Sequence, residues 1–371
     1  MQISENRIVY LDVLRVLATF MVVMVHVGDA YVFNGETMTF GKESSFFAVL
    51  FRSSVPLFII MSSILLLPLK TGGKAFFKRR FTRVAIPFLV WSIIYVFLPV
   101  PSELTFGGPE NVFTDSGMNT YVYNLMMIPI NFTGSNVHFW FIYIILGIYL
   151  FMPILSPWLK TATKQSLIFF LSIWAITLFF PYIKLYFPQI HGQCDWNSFG
   201  MLYYFGGYLG YVILGYFLHH YNRLSAKSSV AIGGLFFIVG VAVTYIGYIS
   251  DQQAFLNKIA VASVEDWKLI EFNINFMSPN VVLMTVGVFM MFQKMKASGW
   301  VQRVFKELSV LSYGIFLVHY IITLWAGDLI NGTTPLNPGV EQFMIALLTF
   351  MVSYGIVKLI SFVPNSKYLI G

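Results

Sequence analysis

Apolar runs of about twenty residues recur from one end of this chain to the other, the length a bilayer core of about 30 Å demands of each helix that crosses it. Of the 371 residues 57% are hydrophobic and only 11% charged, against roughly a quarter charged in soluble domains. The mean hydropathy is +0.74. Backbone polar groups in lipid must be satisfied within the segment, so such runs predict helices. The expectation is an all-α integral membrane protein with about ten transmembrane helices, over 8–28, 45–68, 84–100, 138–156, 167–185, 200–219, 229–249, 279–293, 308–327 and 341–363. These fill the chain, so residues 1–371 read as one transmembrane domain with no soluble domain appended.

The net charge of +7 is unevenly distributed. One set of connections holds Lys70, Lys74, Lys78, Arg79, Arg80, Arg83, Lys160, Lys164, Arg223, Lys227, Lys294, Lys296, Arg303 and Lys306. The alternate set holds Glu36, Glu103, Glu110, Asp115, Asp195, Asp251, Glu265, Asp266, Glu271 and Asp328. The positive-inside rule puts the basic set, and with it both termini, in the cytoplasm, which requires an even number of spans. The basic surfaces then suit topology and anionic lipid; no basic domain stands clear of the bilayer to bind nucleic acid. The first apolar run lacks a small-residue cleavage site and reads as a retained span. The single Cys194 excludes an intrachain disulfide framework. Tyr121 to Ile130, in a long outer loop, is too short to cross and predicts an interfacial or re-entrant segment; Ser250 to Met277 predicts a short amphipathic outer helix. Pro56, Pro87 and Pro153 fall inside spans, where proline kinks helices.

Arg15 and His26 both lie in the first apolar run, eleven residues apart. Eleven steps of about 100° return almost to the starting direction, so they share one helix face about 16 Å apart. Asp12, Thr19 and Asp29 fall close to that face, giving a polar stripe on an oily helix. Ionisable groups at membrane depth face a protein interior or a wet cavity. Imidazole exchanges protons near neutral pH, and Asp29 one turn on would orient it. The structural alternatives are a histidine bonded to a neighbouring helix and a snorkelling Arg15 paired with Asp12.

Lys78, Arg79, Arg80 and Arg83 open the third span. Arg80 and Arg83 are one turn apart, and guanidinium forks match phosphate oxygens in pairs; plain positive-inside anchoring is the alternative. His138 and Trp140 open the fourth span, as an aromatic belt or as a mouth for a sugar. In the ninth, Ser309, Ser312 and His319 are polar, with Ser312 and His319 nearly aligned; they bond between helices or extend a polar cavity. No phosphate loop, nucleophile elbow, His-Glu-x-x-His or Asp-rich cluster occurs, so metal catalysis has no support in the sequence.

Several stretches together resemble the acyltransferase-3 family of membrane acyltransferases. Tyr10 to Ala18 followed by His26 is similar to its opening helix, a basic residue, ten residues and a histidine. Val55 to Ser63 resembles its second-span motif, with Ser63 where glycine is usual. Arg80 to Val84 with Pro87 is similar to its Arg-x-x-Arg motif, His138 to Pro153 to its next span, and Leu311 to His319 to its Ser-Tyr…His span. The resemblance implies a ten-helix bundle that moves an acyl group, usually acetyl, from cytoplasmic acyl-CoA to a carbohydrate on the far side of a bacterial cytoplasmic membrane; the surface-polysaccharide O-acetyltransferases are the most similar subgroup. Combined with the residues, it predicts acetyl-CoA phosphates held by Arg80 and Arg83 with Lys78 and Arg79, and a pantetheine arm running past Arg15. His26 then acts as base or acyl carrier, and Asp12 holds Arg15. His138, Trp140, His319 and Ser312 fall on the acceptor side, with acyl-CoA, the acceptor and the bilayer as partners. A transporter or flippase for a glycan or lipid-linked sugar is the alternative; it would more naturally show broken helices in matching halves.

Overall fold

The computed structural model describes residues 7–34, 39–98, 120–132, 134–187, 189, 200–258, 270–331 and 336–371. Cys194, His191 and the loop acids Glu36, Glu103, Glu110, Asp115, Asp195, Glu265 and Asp266 lie outside them. The protein is helical almost throughout; the one small sheet among the described residues pairs Phe33–Asn34 with Thr39–Phe40. Among the described residues eight helical segments have the length and apolarity to cross a bilayer: Val9–Asp29, Lys42–Leu66, Gly73–Phe97, Asn136–Thr161, Lys164–Tyr186, Ala226–Leu256, Gly299–Ile330 and Pro338–Ile360. The two other expected spans are short helices, Leu209–Tyr221 and Pro279–Phe292. At 1.5 Å per residue each reaches about 20 Å, less than the hydrocarbon core. The segment around Tyr121 forms the eight-residue helix Thr120–Met127. The amphipathic helix expected over Ser250 to Met277 falls partly outside the described residues; its last part, from Glu271, is irregular.

The chain divides into two compact units, residues 1–68 with 155–309 and residues 69–154 with 310–371. At the centre of the first is α1 (Val9–Val32), which packs on α2 (Lys42–Leu50), α3 (Ser54–Leu66) and Pro279–Phe292. Ser63, where the motif usually has glycine, is fully buried and its hydroxyl donates to Val212 O. The helices Ala226–Leu256 and Pro279–Phe292 form the tightest pair: a Cβ on Gly233 would stand 2.7 Å from Gly287 O, and one on Gly287 2.6 Å from Gly233 O. Such approach of backbones is what small residues permit in membrane helix pairs.

The connections of this unit sort by charge. Tyr10 Oη meets His219 Nδ1 at 2.6 Å, Asn222 Nδ2 donates to Gln293 Oε1 at 2.7 Å, and Lys294 Nζ donates to Asn222 O at 3.1 Å. Arg7 Nη2 reaches Lys306 O at 3.4 Å. The start of α1 and the basic connections after Leu209–Tyr221 and Pro279–Phe292 therefore meet at one end. At the other end Asp251 accepts from Asn273 N at 3.0 Å, and Asn280 Nδ2 donates to Asn273 O at 2.7 Å.

In the second unit α4 (Gly73–Arg80) runs through a wider π turn, Phe81–Ala85, into α5 (Ile86–Phe97). Pro87 explains the turn: a proline has no N–H to give and its ring clashes with the carbonyl four residues back, here that of Arg83. Widening the helix relieves the clash, as π turns do. Val84 O is then taken by Tyr313 Oη at 2.8 Å, and Trp91 Nε1 donates to Leu369 O at 2.9 Å, so the short helix Lys367–Ile370 is held against α5.

Candidate functional site

The polar stripe of α1 is real as geometry: Asp12 and Thr19 are buried, and Arg15, His26 and Asp29 are half-buried on a helix otherwise packed with apolar side chains. Asp12 is held by Arg7, whose Nε donates to Oδ2 at 2.6 Å and Nη2 to Oδ1 at 2.7 Å. This two-pronged pair engages both carboxylate oxygens with a residue that the sequence pattern did not single out. Thr19 Oγ1 bonds back to Arg15 O at 2.7 Å, a local use that leaves its hydroxyl inside the helix.

His26 lies two turns further toward the other end. Its Nδ1 is 3.7 Å from Asp29 Oδ2, and the two side chains retain 15% and 40% exposure. That geometry suits a histidine whose tautomer is set by a carboxylate. Arg52, in the turn between α2 and α3, is close enough for its charge to act on Asp29, as is Glu271. Arg52 was legible in principle: an arginine four residues before Pro56 in an apolar span carries the same warning as any ionisable group at that depth.

The basic cluster of the second unit separates into distinct roles. Arg79 is exposed and turned back on the start of its own helix, Nη2 donating to Thr71 Oγ1 at 2.7 Å. Lys78 and Arg83 are exposed. Arg80 is half-buried, and among the described residues its buried Nε has no hydrogen-bond partner. A buried guanidinium N–H left open is costly, and the site is the step from α4 into the π turn.

His138 and His319, expected on the acceptor side, come together in the same unit: both are fully buried, with ring centroids 5.2 Å apart. His138 stacks on Tyr320 at 4.8 Å and lies 5.2 Å from Tyr95, whose hydroxyl donates to Leu317 O at 3.1 Å. His319 Nδ1 is 2.6 Å from Phe316 O. Trp140 is half-buried with its ring 6.1 Å from that of Phe141, and Ser312 is buried seven residues before His319 on the same helix. Seven residues are about 10 Å of helix, so Ser312 sits two turns from the imidazole pair.

Among the described residues no three His, Cys, Asp or Glu side chains group as metal ligands. A search of the curated proteins and of the solved structures returns no match. The profile of an acyltransferase domain matches residues 8–358, and that stretch contains all five motifs together with His26, Arg80, His138 and His319. The chain belongs to the acyltransferase-3 family and is a multi-pass membrane acyltransferase.

Proposed function

We propose that this acyltransferase moves an acetyl group from cytoplasmic acetyl-CoA to a hydroxyl of a cell-surface or lipid-linked carbohydrate, and that it works in a bacterial cytoplasmic membrane. The observation that carries the donor assignment is Arg80, a half-buried cation with an open Nε beside a π turn. Phosphate is the group such a fork is built to receive. Arg83 and Lys78 add charge from the exposed side; Arg79, engaged with Thr71, contributes field more than contact.

His26 acts as general base. It takes the proton of the acceptor hydroxyl, the oxygen attacks the thioester carbonyl, and the tetrahedral intermediate collapses to an acetyl ester and a thiolate. The proton on His26 then goes to the thiolate, giving free CoA. Asp29 stabilises the imidazolium between these two transfers, and Arg15 on the same face supplies positive charge for the developing anion. His138, His319, Trp140 and Ser312 line the acceptor side. The basic connections that meet at the Asp12 end of the first unit support a cytoplasmic placement of that end.

The test is incubation of the purified protein, in lipid nanodiscs, with acetyl-labelled acetyl-CoA and membranes from an acceptor-bearing cell. Label moving into a base-labile ester on glycan is the expected result. Absence of both acetyl-CoA binding and label transfer would remove the reading.

A further inference from the structure

The helices Ala226–Leu256 and Pro279–Phe292 approach backbone to backbone at Gly233 and Gly287, and Ser229 Oγ donates to Met290 O at 2.9 Å, closing the seam between them. Beside that seam, at the end where the basic connections meet, runs a groove of about 380 Å³ lined by Ala226, Val230, Met291, Phe292, Lys294 and Met295. Ala226 and Val230 stand one turn apart on one flank of their helix and are exposed, as is Met295. The groove therefore opens on the outside of the helix pair, and all its walls but Lys294 are apolar.

Lys294 is held in place. It is half-buried, and its Nζ donates to Asn222 O at 3.1 Å. Asn222 Nδ2 donates in turn to Gln293 Oε1 at 2.7 Å and to Ser229 Oγ at 3.2 Å, and Gln293 Nε2 donates to Leu218 O at 2.9 Å. Among the described residues no carboxylate oxygen lies within 4.0 Å of this ammonium. An ammonium has three N–H groups to give, and the Asn222 carbonyl takes one of them. A partly buried cation without a counter-charge favours an anion brought from outside.

We propose that this groove seats an anionic phospholipid, with an acyl chain against Ala226, Val230, Met291 and Met295 and the phosphate on Lys294. Charge complementarity selects the occupant: a cation at the edge of an apolar slot fits an amphiphile whose head is negative. Arg223, Lys227 and Lys296, exposed in the connections at the same end, add to the positive field there. Basic pockets between membrane helices on the cytoplasmic side bind anionic head groups, and the positive-inside rule puts this end in the cytoplasm. The seat lies wholly within the first unit and takes nothing from the donor assignment at Arg80, so the two stand or fall separately.

The experiment is native mass spectrometry of the purified full chain, titrated with dioleoyl phosphatidylglycerol or with dioleoyl phosphatidylcholine. These lipids share their acyl chains and differ in head-group charge. The unaltered protein retains one phosphatidylglycerol at least about fivefold more tightly than phosphatidylcholine, the scale of one lysine at a membrane surface. Lys294→Met erases that preference and Lys294→Arg keeps it, which separates charge from folding. Val230→Trp, at an exposed position, fills the slot and weakens phosphatidylglycerol about tenfold or more. Lys160→Met, at an exposed lysine elsewhere in the unit, leaves both lipids as they were. Equal retention of the two lipids, a preference that survives Lys294→Met or is lost alike in Lys294→Arg, or binding indifferent to Val230→Trp overturns the seat. So does a dimer mass that disappears in Val230→Trp, which assigns the groove to a second copy of the chain.

Discussion

Replacing Arg80 by alanine has opposite expected effects on ligand affinity and on the stability of the empty protein. The Nε–H of Arg80 is buried and open among the described residues. A single hydrogen bond from such a charged donor to a phosphate oxygen is worth about 1.5–3 kcal/mol, or about 10- to 150-fold in affinity. Arg80→Ala therefore weakens acetyl-CoA binding by at least about tenfold. In the empty protein the same change removes an unsatisfied buried donor whose desolvation costs about 1–3 kcal/mol, so the melting temperature holds or rises. Arg79→Ala, at an exposed side chain already bonded to Thr71, changes affinity by less than about threefold, the scale of a surface ion pair. Titration calorimetry in nanodiscs with acetyl-CoA and with its 3′-dephospho analogue reads the first effect. If Arg80 holds that phosphate, its alanine variant discriminates less between the two ligands, the signature of a shared contact. An Arg80→Ala protein with unaltered affinity, or one that loses binding only because it melts several degrees lower, refutes the argument.

Three further expectations concern residues of the first unit, with one control in the second. His26→Ala and His26→Gln lower acetyl transfer by about 10²- to 10⁴-fold with acetyl-CoA affinity unaltered, the range for a general base; steady-state transfer assays and direct binding on the same preparations separate the two quantities. Asp12→Asn breaks the two-pronged pair with Arg7 and lowers unfolding free energy by about 1–3 kcal/mol, read as an earlier thermal transition; an unshifted transition assigns the pair no structural weight. Gly287→Ala places a methyl 2.6 Å from Gly233 O and costs about 2–3 kcal/mol by overpacking. Gly327→Ala, with open space around it, is the control and leaves the melt unchanged or slightly higher, since alanine favours helix.

Segment length and charge alternation make the membrane class legible, because both are consequences of lipid as a solvent and need no tertiary information. The helix face shared by Asp12, Thr19 and His26 is equally legible, since a 3.6-residue period fixes it. Partner choice is not. Asp12 is bonded by Arg7, from outside the apolar run, a pairing that no helical periodicity announces. Arg79 and Arg80 are adjacent in sequence and chemically identical, yet one bonds to Thr71 and the other is half-buried; the step of about 100° between neighbouring helical positions separates them, and which face is buried is set by packing. The meeting of His138 with His319 joins residues 181 positions apart, a distance at which a single sequence holds no pairing signal. Arg52 was visible as an ionisable residue in a span, but its bond to Ile274 O depends on how 270–278 is fastened, and that depends on Asn273, a residue without any distinguishing pattern.

The π turn at Phe81–Ala85 amounts to one surplus residue threaded into a regular helix, and it sets the phase between the stretch bearing Arg80 and the stretch running to Phe97. Deleting one residue there would restore the ordinary winding with the two stretches still in phase, because the wider turn absorbs the surplus residue. Replacing Pro87, whose clash the widening relieves, would instead let the turn tighten with every residue kept and swing the two stretches by about 100° relative to each other. Hydropathy and length would scarcely change, so the altered protein would still insert in the bilayer, with its guanidinium aimed at a different neighbour.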